Sequence, residues 1–239
     1  MSLKKCIGRL DKTLDMFIIG ICTLLLFIGI YSMLDNIWLY NNATDKSLFD
    51  YKPELNMPLP EEKKISENQI GWLEIYDTGI DYPVMQGEDN MKYINTDPYG
   101  DFSLSGSIFL DSRNDPDLLD TYSIIYGHHM EKNVMFGALD QYIADDDFFS
   151  SHKKGSIITQ NYAYNINLFA IISADATNNQ LFNPGFSTRK ELLDFLRESA
   201  SYYEEPANDG RLLSLTTCAG ANDLNRLIVV GTITEVASQ

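Results

Sequence analysis

Cysteine is scarce: three residues in 239, Cys6, Cys22 and Cys218. That is too few, and too scattered, for a disulfide-stapled scaffold or an all-cysteine zinc site. Histidine is equally rare, at three, and no H-x-x-x-H spacing occurs, which argues against a zinc site built on histidines. Positive charge is also short, with 18 Lys and Arg against 34 Asp and Glu and a net charge of −16. Binding nucleic acid needs clustered Lys and Arg to neutralise phosphates, so the balance argues against a nucleic-acid partner. Internal repeats and low-complexity tracts are missing. At 44% hydrophobic and 22% charged, the chain is not a disordered polyampholyte. Its length suits one domain, alone or with an extension, and is ample for a packed core.

One long apolar run is present. Residues 16–34 read MFIIGICTLLLFIGIYSML without a charge, and Asp15 and Asp35 bracket them. As a helix the run spans roughly 29 Å, close to the hydrocarbon thickness of a bilayer. It lacks the polar stripe of a core helix and is longer than the apolar part of a cleaved signal, so an uncleaved anchor is expected. Lys4, Lys5, Arg9 and Lys12 precede it, which places the N-terminus in the cytoplasm and everything after Tyr40 outside. The first 15 residues carry four of the basic and two of the acidic groups, a net of +2, and the remainder carries −18. The expected division is a cytoplasmic tail at 1–15, a transmembrane anchor at 16–38, a stalk at 39–68 with one short helix near 42–50, and a folded domain at 69–239.

Beyond Ile70 the pattern turns to strands. Alternating or β-rich runs occupy 71–75, 80–84, 106–110, 122–126, 155–159, 164–173, 212–217 and 226–236. Many short strands with little helix between them predict a mainly β fold, a barrel or sandwich. Residues 188–203 break the pattern. Thr188 and Glu191 form a capping-box pair, Leu192, Phe195, Leu196, Ser199 and Tyr203 share one helical face, and Pro206 and Gly210 close the segment. A second helix is expected over 133–142, with Met135, Phe136, Leu139 and Tyr142 as its apolar positions.

With Cys6 in the cytoplasm and Cys22 in the bilayer, Cys218 is a lone outer thiol. Such a residue is either buried and inert or a nucleophile. Its position favours the second, because it ends the strand Leu212–Thr217 and opens a loop, where functional side chains are often displayed. Eight residues later Arg226 opens the next strand. A hairpin would bring the two to the same end of strands about 4.8 Å apart, where the guanidinium is either a solvated strand end or a donor to an oxyanion. His128 and His129 follow the strand Tyr122–Gly127. His152 lies in a polar turn and reads as solvated.

These residues resemble a sortase. The resemblance rests on Thr216-Thr217-Cys218 with Arg226 opening the next strand, and on Tyr126-Gly127-His128 at another strand end. Supporting stretches are Tyr82-Pro83-Val84-Met85-Gln86-Gly87 with Asp89-Asn90, and Gly106-Ser107-Ile108-Phe109-Leu110-Asp111; together the match runs from about Ile70 to Val236. The helix ahead of the Cys-bearing strand is similar to the one that marks class B. The pilin-polymerising class is the nearest alternative. Its lid motif has a superficial match in Asp97-Pro98-Tyr99, but this lies inside the barrel region. That placement, and the end of the sequence at Gln239 directly after the last strand, favour class B.

The resemblance implies an eight-stranded barrel and a membrane-anchored cysteine transpeptidase. Cys218 would be the nucleophile, His128 (not His129) the acid and base, and Arg226 the oxyanion donor. Asn90, Ile94, Tyr126, Leu181, Phe182, Thr216 and Thr217 would line the peptide groove. No metal or organic cofactor is implied. The implied partners are secreted proteins with a C-terminal sorting signal, and peptidoglycan or its lipid-linked precursor as amine acceptor. Class B members often carry an acidic residue just after the nucleophile, whereas Ala219-Gly220 stand here. Two other readings use the same residues. One is a membrane-tethered binding barrel with an inert Cys218. The other is a papain-like wall hydrolase, disfavoured because its Cys precedes its His and starts a helix.

Overall fold

The computed structural model describes residues 3–54, 57–218 and 225–236, without the side chains of 3–11, 42 and 146. They fall into two units that divide between Asn42 and Ala43. The first holds helix α1 (Leu3–Ala43) up to Asn42. Its apolar stretch has a mean hydropathy of 2.5 over its best 18 residues, none of it buried, and it is long and apolar enough to cross a membrane.

The second unit is a closed barrel. Its strands are β1 (Gln69–Ile75), β2 (Asp81–Met85), β3 (Ile108–Leu110), β4 (Tyr122–Gly127), β7 (Lys154–Thr159), β8 (Ala163–Asp175), β10 (Arg211–Thr217) and β11 (Asn225–Glu235). The order around the wall is β11-β10-β4-β3-β2-β1-β7-β8, and β8 pairs again with β11 to close it. β2–β3 and β4–β10 are parallel and the other barrel pairings antiparallel, so the barrel is mixed. These eight strands are the eight β runs read from the sequence. A small hairpin, β5 (His129–Met130) with β6 (Val134–Met135), stands apart, and β9 (Tyr202–Tyr203) adds to the edge of β8.

Three short helices, α2 (Gln141–Ala144), α3 (Asp146–Ser151) and α4 (Asn179–Phe182), precede α5 (Arg189–Ser199). Thr188 caps α5 through a complete capping box with Glu191. Such a cap is worth about 1 kcal/mol. Leu192 and Leu196 of α5 are buried against Tyr122, Ile124, Phe169, Ile172, Leu212, Ile228 and Val230, on the outer face of β4, β8, β10 and β11. Each fully buried leucine contributes roughly 2 kcal/mol.

Two helix boundaries differ from the sequence reading. Residues 202–203, expected in the long helix, form β9 instead. Ala200 leaves the helix with extended backbone, and Tyr203 packs edge-on against Phe169 at 5.9 Å. Over 133–142 the chain makes β6, a 3-10 turn (Phe136–Asp140) and the start of α2. Lys132, Asn133 and Met135 all have positive φ, which prevents one continuous helix. The apolar positions expected there, Met135, Phe136, Leu139 and Tyr142, are nonetheless buried.

Residues ahead of β1 touch the barrel. Lys52 bridges Glu74 and Asp81 at 2.8 Å each, and Leu59 is buried with Ile158 and Ala163. A 3-10 turn at Lys46–Tyr51, capped by Asp45, occupies the place of the short helix expected near 42–50.

Candidate active site

Register alone brings three sequence-predicted residues together. β10 pairs in parallel with β4, with Thr216 opposite Tyr126 and Thr217 opposite Gly127. One step further, the Cys218 backbone N–H donates to the Gly127 carbonyl at 2.7 Å, which sets Cys218 beside His128. β10 pairs antiparallel with β11, with Thr216 opposite Ile228. Extending that register by two residues sets Cys218 opposite Arg226. The corner is tied by the Leu227 N–H, which donates to Thr217 Oγ1 at 3.0 Å. Cys218 and Arg226 are therefore the two sides of the expected hairpin, and His128 ends the strand on the other side of Cys218.

All three line one cleft of about 540 Å³, with Asn90, Met91, Ile94, Phe109, Arg113, Tyr126, Ala176, Phe182 and Thr217. Of the expected groove residues, Asn90, Ile94, Tyr126, Phe182 and Thr217 are in this wall. Leu181 is buried in the core beneath α5, and Thr216 is buried with its hydroxyl 3.5 Å from Ser214 Oγ; neither lines the cleft. Ala219 and Gly220 lie outside the described residues.

The environment of each central group has a physical consequence. Cys218 is a free thiol packed against Met85, Tyr93 and Phe109. Burial pushes its pKa up to about 11, with the positive charge of Arg226 working against the rise. His128 is half-buried, and its Nε2 lies 2.6 Å from the Ile94 carbonyl oxygen. A carbonyl only accepts, so Nε2 carries a proton and Nδ1 is the nitrogen available for proton exchange. Arg226 is half-buried and donates from Nη1 to the Asn225 carbonyl at 3.3 Å.

The other two histidines are engaged elsewhere. His129 is exposed and pairs with Asp140 at 2.7 Å. His152, read from sequence as solvated, instead stacks on Phe148 at 3.9 Å.

A polar group behind the cleft wall was given no role by the sequence reading. Asp111 is fully buried and accepts from Asn90 Nδ2 at 2.8 Å, Tyr126 Oη at 3.1 Å, and Arg113 Nε and Nη2 at 2.8 and 2.6 Å. Burial works to raise the Asp111 pKa, but Arg113 and Asn90 outweigh it and hold the carboxyl below its ordinary value. Arg113 is thus charge-compensated, and Arg226 is the cleft arginine whose charge acts on the thiol. Asp111 closes the stretch Gly106–Asp111 quoted for the resemblance, but neither that nor its short spacing to Arg113 carries chemistry by itself. Among the described residues no cluster of His, Cys, Asp and Glu is arranged to hold a metal.

A thiol, an imidazole with one nitrogen oriented by the backbone, and a guanidinium in one largely apolar cleft can carry out acyl transfer. Comparison with known proteins agrees. A family model described as Sortase domain matches residues 73–234. Sortase B of Listeria monocytogenes is 30% identical over 194 residues, covering 78% of each chain. The structure of a Streptococcus pyogenes class B sortase involved in pilus biogenesis is similar at 41% identity and a TM-score of 0.65, over 71% of this chain and 94% of that one. A Staphylococcus aureus sortase B–substrate complex is similar at 25% identity and a TM-score of 0.72, over 87% and 100% of the two chains. With the barrel, the helix before the Cys-bearing strand and the cleft in agreement, the chain belongs to the sortase family of transpeptidases, in class B.

Proposed function

We propose that this protein is a membrane-anchored cysteine transpeptidase that cleaves a C-terminal sorting signal after Thr and transfers the acyl group to a cell-wall peptide amine. The observation that carries the reading is the convergence of Cys218, His128 and Arg226 on one cleft from three neighbouring strand ends. Cys218 Sγ attacks the Thr carbonyl, the peptide bond breaks, and the downstream tail leaves as an amine that takes a proton from His128. Arg226 and backbone N–H groups carry the oxyanion of each tetrahedral intermediate. The amine acceptor, from peptidoglycan or its lipid-linked precursor, then attacks the thioester, gives its proton to His128 and releases Cys218. No metal or organic cofactor takes part in these steps. With the thiol pKa near 11, only roughly 0.03% is ionised at a pH near ~7.5. The thiol proton therefore has to be taken up as Sγ attacks, with His128 as the base.

The length and apolarity of α1, with Lys4, Lys5, Arg9 and Lys12 before its apolar run, support a single-pass anchor at 16–38 with the N-terminus cytoplasmic and residues 69–239 extracytoplasmic. A pilus-assembly role is the second reading, favoured by the 41% identity to a class B sortase involved in pilus biogenesis. The two differ in the amine, a wall peptide in one and a lysine side chain of a pilin subunit in the other. Incubating the protein with a library of sorting-signal peptides and each amine, with mass-spectrometric readout, tests both. A wall-peptide conjugate supports the first reading, and a conjugate with the lysine peptide alone supports the second. No conjugate with any pair overturns transpeptidation.

A further inference from the structure

Four residues of the cleft wall hang from one carboxylate. Asp111 binds Asn90, Arg113 and Tyr126 directly. Arg113 Nη2 also donates to the Phe182 carbonyl at 2.7 Å, which carries the connection to the turn at α4. These four come from separate parts of the chain: the loops after β2 and β3, the end of β4, and the segment after β8. The α4 turn is held from two sides. On its buried side Tyr122 Oη donates to the Leu181 carbonyl at 2.9 Å, and on its solvent side Arg113 holds Phe182. Asp111 is fully buried, whereas the Arg113 side chain is 49% exposed, so the arginine alone spans from the core to the rim. Its planar fork makes both bonds at once, which the single ammonium of a lysine would not reproduce.

We propose that Asp111 and Arg113 are positioning residues, a strut that holds the Phe182 turn as one wall of the peptide cleft and so sets peptide affinity without joining the acyl transfer. The proposal rests on the transpeptidase reading for its kinetic consequence, but not for its structural one. Arg113 is suited to this part because its charge is spent on Asp111 at 2.6–2.8 Å. An arginine so neutralised gives little field to a developing oxyanion, whereas a rigid bidentate pair gives geometric precision.

The test compares Arg113→Ala, Arg113→Lys and Asp111→Asn with the parent, as full chains in detergent micelles. Hydrogen exchange at the Phe182, Asn183 and Phe186 amides is read first. Exchange there should rise about tenfold in both Arg113 variants, with the β4 and β10 amides unchanged. Exchange within about twofold of the parent, or a rise spread equally over the barrel, overturns the strut. Transpeptidation is read second. KM for the sorting peptide should rise about tenfold with kcat within about threefold, and the rate of Cys218 alkylation by iodoacetamide should be unchanged. A fall in kcat at constant KM would place Arg113 in the chemistry and overturn the proposal. Asp111→Asn should match Arg113→Ala; if it does not fold, the two variants at the half-exposed Arg113 still decide. If the parent transfers no peptide, the transpeptidase reading fails and the exchange measurement alone judges the strut.

Discussion

The Cys218 thiol packs against Met85, Tyr93 and Phe109, and that apolar contact raises its pKa to about 11 while Arg226 works in the opposite direction. The sign gives a direct expectation. A group whose proton is held this tightly should be alkylated about tenfold faster per pH unit between pH ~7 and ~9, without a plateau. A plateau below pH ~9, seen by stopped-flow alkylation, would contradict the burial argument. Removing the counteracting charge in Arg226→Gln should move the titration further up. Arg226→Lys keeps the charge but loses the planar fork, so transfer should fall by about 10²-fold while the thiol titration stays near the parent's. Equal transfer rates for the two would remove Arg226 from the oxyanion role. At this scale the sequence was informative where chemistry is local. Cys218, Arg226 and His128 each stand at a strand end with a recognisable neighbour. Asp111 and Arg113 were not legible as a unit, because their importance comes from Asn90, Tyr126 and Phe182, which only the fold brings to them.

The strand ends, rather than any loop, aim the central groups, and their order in the barrel wall, β11-β10-β4, is what makes three distant residues neighbours. The imidazole depends on one further element. Its Nε2 proton goes to the Ile94 carbonyl, and Gly106, with φ +57°, packs so closely that a Cβ there would overlap the carbonyl oxygens of Tyr93 and Ile94. Gly106→Ala should therefore destabilise the barrel by about 1–3 kcal/mol and displace the His128 partner. The expected outcome is a lower melting temperature together with a shifted His128 imidazole resonance. An unchanged resonance would dissociate Gly106 from the histidine. Most strands were readable because they alternate or are β-rich over five residues or more, whereas β3 keeps only Ile108–Leu110 of the expected 106–110. The helix ends were less so: periodicity runs smoothly through Ser199 into Tyr203, and only the pairing of β9 with β8 shows where the helix must stop. Over 133–142 the apolar positions were right, but turn conformations at Lys132, Asn133 and Met135 took the place of the helix.

The whole chain has opposite charges at its two ends, +2 before the apolar run and −18 after it. With the proposed topology, protease added to intact cells should digest residues beyond Tyr40 and spare those before Met16, and alkaline carbonate should leave the protein in the membrane pellet. Protection of the barrel, or its release by carbonate, would overturn that topology. The acidity of the outer part acts only at short range in physiological salt, within about 8 Å, so it biases substrate encounter rather than recognition. In the proposed function the cleft recognises the sorting peptide, and Cys218 becomes acylated there. The full chain incubated with a sorting-signal peptide in the absence of an amine, quenched in acid and digested with trypsin, yields Cys218 in the fragment spanning residues 212–226. The expected result is that this fragment gains the mass of the peptide portion ending in Thr, loses it on treatment with hydroxylamine, and shows no gain in Cys218→Ala. Cleavage of the peptide with no adduct on that fragment, or undiminished transfer by Cys218→Ala, would contradict it.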